Sequence, residues 1–193
     1  MILASHNTMS YLRPKCKWLR WFRFAGRCQE KTLIDQHSSG VKMFDLRFTF
    51  DGWREPVLCH GIMEFEMDPT QINSMFIWMD LVAEREEIWC RIINEQNRNC
   101  KTFIDFCKHL KQEYPHIKFF GGYNKKDWSQ LYDFGYGEPK YINRYASHNK
   151  DCPPEQSKFS LDDVWPWLYA KLFNNKWKKK YKDYDGYLML DFV

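Results

Sequence analysis

The sequence predicts an α/β fold built on a parallel sheet. Two observations predict it. Short, near-continuously apolar runs alternate with stretches of helical spacing, the pattern of strands covered on both faces. Several of these runs also end in polar, ionisable groups: His6, Asp45 with Arg47, His60, Glu95 and Asp191. Parallel sheets collect such groups at one face, because all strands present their C-terminal ends there.

Each element follows in order. Ile2 to Ser5 reads as a brief first strand. Residues 13–24 mix cations with Trp18, Trp21 and Phe22, and residues 29–38 read as a helix ending at Gly40. Val41 to Phe48 is a second strand, Asp51-Gly52 a turn, and Val57 to Cys59 a third strand. Thr70 to Arg85 places Ile72, Met75, Phe76 and Met79 at helical spacing. Ile88 to Ile93 is a fourth strand. Cys100 to Tyr114 is a helix with Phe103, Phe106, Cys107 and Leu110 on one face, closed by Pro115. Ile117 to Phe120 is a fifth strand, stopped by Gly121-Gly122, and Tyr141-Ile142 a sixth. Residues 149–158 read as a loop. Ser160 to Asp163 carry N-cap chemistry for a helix that tolerates Pro166 in its first turns. Tyr187 to Asp191 is the last strand.

The 193 residues make one domain, 1–193, and a composition 44% hydrophobic and 18% aromatic supplies a core. The formal charge of +4 permits attraction to an anionic membrane surface. No apolar run approaches the ~20 residues of a membrane span. Seven cysteines without a CxxC pair read as reduced thiols, which favours a reducing, cytoplasmic location. Trp18, Trp21 and Phe22 are expected to pack against the body rather than face a membrane. His37, His109, His116 and His148 are expected to be structural, and the lysines at 178–180 a solvated face.

The clustered groups suit phosphodiester cleavage. One histidine takes a proton from the nucleophile, another protonates the leaving oxygen, and a fixed cation neutralises charge growing on phosphoryl oxygens. Three pieces in order, Ser5-His6-Asn7-Thr8, Gly40-Val41-Lys42-Met43-Phe44-Asp45-Leu46-Arg47 and His60-Gly61, resemble the X domain of phosphatidylinositol-specific phospholipase C. Phe119 to Trp128 and the terminal Leu188 to Val193 resemble later landmarks of the same family.

That resemblance implies a compact, incomplete (β/α)8 TIM barrel with parallel strands, of the PLC-like phosphodiesterase type. It implies cleavage of a phospholipid head-group phosphodiester, with phosphatidylinositol giving diacylglycerol and a cyclic inositol phosphate. His6 is then the general base, His60 the general acid, and Arg47 the phosphoryl ligand. Asp191 and Asp45 orient the bases. Asn7, Glu95, Lys125 and Arg144 are expected to line the substrate site. Asp45-Leu46-Arg47 matches the bacterial D-x-R, where a guanidinium stands in the place of a metal, whereas Asn7 matches the animal enzymes. No cofactor is therefore expected, and calcium on Asn7, Asp45 and Glu95 is the less favoured alternative. The expected partners are a phospholipid and a peripheral membrane surface, with no nucleic acid. The rival functions are a metal-dependent glycerophosphodiesterase or sphingomyelinase D-like enzyme, and a catalytically weak lipid- or phosphate-binding module.

Overall fold

A computed structural model describes residues 1–50, 55–96, 98, 100–124, 129–130, 132–143 and 165–193. The elements run β1 (Ile2–Ser5), a 3-10 turn (Trp18–Phe22), α1 (Arg23–Gly26), α2 (Leu33–Ser38), β2 (Val41–Thr49), β3 (Val57–His60) and β4 (Met63–Glu64). Then come α3 (Pro69–Ala83), β5 (Trp89–Asn94), α4 (Cys100–Glu113), β6 (Lys118–Asn124), β7 (Ser129–Gln130), β8 (Tyr141–Asn143), α5 (Pro166–Lys180) and β9 (Tyr187–Leu190).

The strand order is β7-β6-β5-β2-β1-β9-β8, and every neighbouring pair from β6 to β8 is parallel. Among the described residues no pairing joins the two ends, so the barrel is not closed. The last strand lies beside the first, with Ile2 opposite Tyr187 and Ser5 opposite Leu190.

Strand alternation sorts β2 into two faces. Phe44, Leu46 and Phe48 join the large core under the helices, with Phe76, Phe103 and Phe119. Met43 joins the smaller inner core of Ala4, Trp89, Phe120, Tyr141, Tyr187 and Met189. Asp45 and Arg47 share the parity of Met43 and project into the barrel mouth. α3 is fixed at its start by Asp68, which caps Gln71 reciprocally with Pro69 at the first helical position.

Several sequence expectations are corrected. Val57–His60 is not a third parallel barrel strand. It pairs antiparallel with the end of β2, Phe48 opposite Leu58, and turns into β4. A few residues cannot make a parallel crossover, but they can make a hairpin. The helix predicted over 29–38 begins only at Leu33, where the Thr32 hydroxyl accepts from the Asp35 N–H, leaving 29–32 as a non-helical tie. Gly121-Gly122 do not stop β6. They form a bulge inside it, since Ile92 pairs with Gly121 and Ile93 with Tyr123. Gly121 has φ +99°, and a Cβ there would lie 2.5 Å from the Ile92 carbonyl oxygen.

The aromatic segment also departs from expectation. Trp18, Trp21, Phe22 and Phe24 are 59%, 85%, 55% and 51% exposed. Single turns are too short to present a packed face, and within Trp18–Gly26 only Leu19 and Gly26 are buried. The turn at 51–52, the loop at 149–158, the cap at 160–163 and His148 lie outside the described residues. So do Asp127 and Trp128. No helix among the described residues is long and apolar enough to cross a membrane. Cys16, Cys28, Cys90 and Cys107 are free thiols.

Candidate active site

The ends of β1, β2, β5 and β9 bring His6, Asp45, Arg47, Glu95 and Asp191 together, and the β3–β4 hairpin folds His60 in beside them. The His6 and His60 rings stand nearly perpendicular, with centroids 6.5 Å apart.

His6 is held from both sides. Its Nδ1 is 2.7 Å from Asp191 Oδ1, and its Nε2 is 2.7 Å from Arg47 Nη2. A guanidinium only donates, so Nε2 must accept, and the single proton sits on Nδ1, donated to Asp191. This is a neutral imidazole. Burial favours the neutral form, and the charge of Arg47 adds to it, so the His6 pKa falls well below 6.5.

Arg47 is the hub. Its Nε donates to Asp45 Oδ2 at 3.0 Å, and Nη1 to both Glu95 oxygens at 3.3 and 3.2 Å. Burial opposes the charged guanidinium, but Asp45 and Glu95 outweigh it and hold its pKa above the ordinary value. Asp45 is fully buried. Burial would raise its carboxyl, yet Arg47 and Arg91 override that and hold it below the usual carboxylate range. Arg91 comes from β5 directly opposite Asp45, with Nη1 3.5 Å from Oδ1. The Asn7 N–H adds a bond of 3.0 Å to Oδ2.

The loop carrying His60 is tied to this network. The Gly61 N–H donates to Glu95 Oε1 at 3.1 Å, and Gln96 Nε2 donates to the Gly61 carbonyl at 2.9 Å. His60 Nδ1 donates to the Gly26 carbonyl at 2.9 Å, which joins it to the exposed aromatic segment. Asn7 sits at φ 49°, a left-handed conformation unusual outside glycine, and its buried side-chain Nδ2 has no partner among the described residues.

Two donor sets bear on metals. Calcium needs 6–8 oxygens. Asp45 and Glu95 give oxygens to Arg47, whose guanidinium reaches both. His6, Cys28 and Asp191 offer ligand atoms within 4.8 Å of one another. Nitrogen and oxygen there are already joined by the short His6–Asp191 hydrogen bond.

No protein-family model matches the sequence, and no curated protein matches it. Solved structures do. A phosphatidylinositol-specific phospholipase C from Listeria monocytogenes aligns over 99% of this chain and 87% of its own, with 17% identity and a TM-score of 0.63. The Staphylococcus aureus enzyme of the same name, in a structure bearing on its membrane binding, aligns over 99% and 85%, with 16% identity and a TM-score of 0.62. An F249X mutant of the S. aureus enzyme gives 14% identity and 0.60. The fold is similar to that of the bacterial phosphatidylinositol-specific phospholipases C.

Of the residues expected at the site, His6, Asn7, Asp45, Arg47, His60, Glu95 and Asp191 converge. Lys125 and Arg144 lie outside the described residues. Sequence reasoning missed Arg91, although a lone arginine within the apolar run Trp89–Ile93 was a legible signal. It also missed Gln29. This buried amide donates to the His6 and Leu190 carbonyls at 2.9 and 3.1 Å and accepts from the Val193 N–H at 3.3 Å. Only a fold that closes its last strand on its first gives Gln29 that position.

Proposed function

We propose that this protein is a phospholipase C-like phosphodiesterase that cleaves phosphatidylinositol to diacylglycerol and a cyclic inositol phosphate. The observation that carries the reading is His6, a neutral base fixed by a carboxylate on one nitrogen and capped by a guanidinium on the other. A second imidazole faces it across 6.5 Å.

A phosphodiester entering the mouth competes for the Arg47 guanidinium. As Arg47 turns Nη2 to a phosphoryl oxygen, it releases the His6 lone pair. His6 Nε2 then takes the proton of the inositol 2-hydroxyl, and Asp191 stabilises the imidazolium that forms. The new alkoxide attacks phosphorus, and Arg47 neutralises the equatorial oxygens with a forked pair of hydrogen bonds. His60 stands on the leaving-group side. Its Nδ1 is engaged with Gly26, so Nε2 is the nitrogen that passes a proton to the diacylglycerol oxygen.

The reaction is metal-independent in this reading, because Arg47 supplies the charge that a divalent ion would. The substrate is reached at a peripheral membrane surface. Trp18, Trp21, Phe22 and Ile62 are exposed, and so are Arg13, Lys15 and Lys17 in the preceding turn. Aromatic rings among cations suit an anionic lipid interface.

Incubation with phosphatidylinositol, phosphatidylcholine, sphingomyelin and glycerophosphodiesters, with and without chelator, tests this. Release of diacylglycerol from phosphatidylinositol alone, undiminished by chelator, is the expected result. Metal-dependent release from the other substrates overturns it.

A further inference from the structure

Cys28 lies where the base is built, yet the mechanism above does not use it. We infer that Cys28 is a positioning residue for the proton-accepting pair, its thiol donating to the Asp191 carboxylate and holding it against Nδ1 of His6. The inference rests on the assignment of His6 as the base.

The backbone around Cys28 fixes the thiol there. The N–H groups of Cys28 and Gln29 both donate to Ser10 Oγ at 2.9 Å, so one hydroxyl holds the two residues in place. The Cys28 carbonyl accepts from the Phe192 N–H at 2.7 Å. Phe192, next to Asp191, has φ 50°, a strained conformation for a bulky residue. The Cys28 carbonyl therefore helps hold the chain in the turn that aims Asp191. The Asn174 side-chain amide clamps the Asp191 carbonyl at 2.7 Å from the other side.

Chemistry agrees with geometry. Cys28 is only 2% exposed, so its thiol sees neither oxidant nor solvent readily. Burial first, and the negative charge of Asp191 second, raise its pKa well above the ordinary thiol value. The group stays S–H, and its sulfur lies within 4.8 Å of the His6 and Asp191 ligand atoms, within reach of the carboxylate. A thiolate there would repel Asp191, whereas a thiol can donate to its carboxylate. A weak donor suits the task. It fixes the carboxylate while drawing off little of the charge that stabilises the imidazolium.

Two substitutions decide it. Cys28→Ala removes the donor, and Cys28→Ser restores one. Hydrogen bonding ranks serine above alanine, whereas a packing role ranks it no better, since a buried hydroxyl without a partner is costly. Removing such an outer partner typically costs about 10–100-fold. For Cys28→Ala we expect kcat lowered about tenfold, at the mild end of that range, with KM unmoved because the thiol does not touch substrate. Cys28→Ser recovers most of the loss. In NMR titration without substrate, the His6 pKa rises in the alanine variant, because a carboxylate with one donor fewer attracts the imidazolium more strongly. In the serine variant it stays at or below the wild-type value. Equal His6 titrations in all three proteins, or alanine matching serine in kcat, overturn the inference. So does a serine variant with a raised titration, even if alanine fails to fold. Wild type inert on phosphatidylinositol would instead sink the proposed function, while the NMR comparison still judges Cys28.

Discussion

The two walls of the mouth are built on opposite principles. The inner wall, at the ends of β1, β2, β5 and β9, buries His6, Asp45, Arg91 and Asp191 in a closed web of charge. The outer wall, residues 18–26 with the β3–β4 hairpin, leaves His60 half-buried and Trp21 and Ile62 exposed. The same residue type therefore meets two environments. His6 is desolvated, single-tautomer and neutral. His60 sits on a hairpin and donates to the Gly26 carbonyl. Rigid charge on one side and exposed apolar surface on the other suit a substrate whose head is an anion and whose tail stays in a membrane.

The largest test breaks either wall at its histidine. Losing a proton-transfer group costs about 10²–10⁴-fold in rate. His6→Ala and His60→Ala should each fall in that range in phosphatidylinositol turnover. Circular dichroism should match wild type for His60→Ala, which sits at the half-buried outer wall. Turnover near wild type in either variant would remove that residue from the chemistry.

The inner wall is also where stability is concentrated. Asp45→Asn leaves Arg47 and Arg91 facing a neutral amide, and breaking a buried pair costs about 3–5 kcal/mol. Urea unfolding should show a loss of that size. An equal change at Lys15 and Glu64, an exposed pair 3.8 Å apart, should cost about 0–1 kcal/mol. Arg47→Lys keeps charge but loses the fork, and we expect kcat lowered about 10²-fold, the low end of what one oxyanion donor supplies.

The pH dependence separates the walls more finely. The folded pKa of His6 lies below 6.5, the unfolded value, so the folded state resists protonation. Its contribution to stability is complete above 6.5 and is lost as pH falls from there through the lower folded value. Activity follows the same sign. The acidic limb of kcat/KM, which reports the free enzyme, should lie below 6.5. A limb above 6.5 would mean that His6 is charged in the resting protein, contrary to Arg47 donating to its Nε2.

The sequence disclosed the inner wall better than the outer one, for a physical reason. His6, Asp45, Arg47, Glu95 and Asp191 sit at ends of regular strands, and strand parity states which way they point. Val57–His60 looks like any apolar strand, because pairing direction depends on the partner and not on composition. The glycines at 121 and 122 read as a stop for the same reason, since a bulge is visible only against the neighbouring strand. Trp18, Trp21 and Phe22 carried no periodicity strong enough to tell a packed face from an exposed one. Arg91 was legible and overlooked. Cys28 was not legible, because its place depends on the tie from Ser10 and on the closing strand.

The smallest expected effect probes the outer wall alone. Trp21 is 85% exposed. Fully burying a large apolar side chain contributes about 1.5–3 kcal/mol, and an interfacial ring gains only part of that. Trp21→Ala should therefore weaken binding to phosphatidylinositol-containing vesicles about tenfold, which is 1.4 kcal/mol on the affinity scale. Raising salt should weaken wild type and variant by the same factor, because the exposed cations Arg13, Lys15 and Lys17 remain. The kcat on a water-soluble inositol phosphodiester should change far less than the vesicle affinity, since Trp21 lies in solvent and not in the buried web of His6 and Arg47. If soluble turnover falls in step with vesicle binding, the aromatic segment acts on His60 through Gly26 rather than on the membrane, and the two walls are mechanically one.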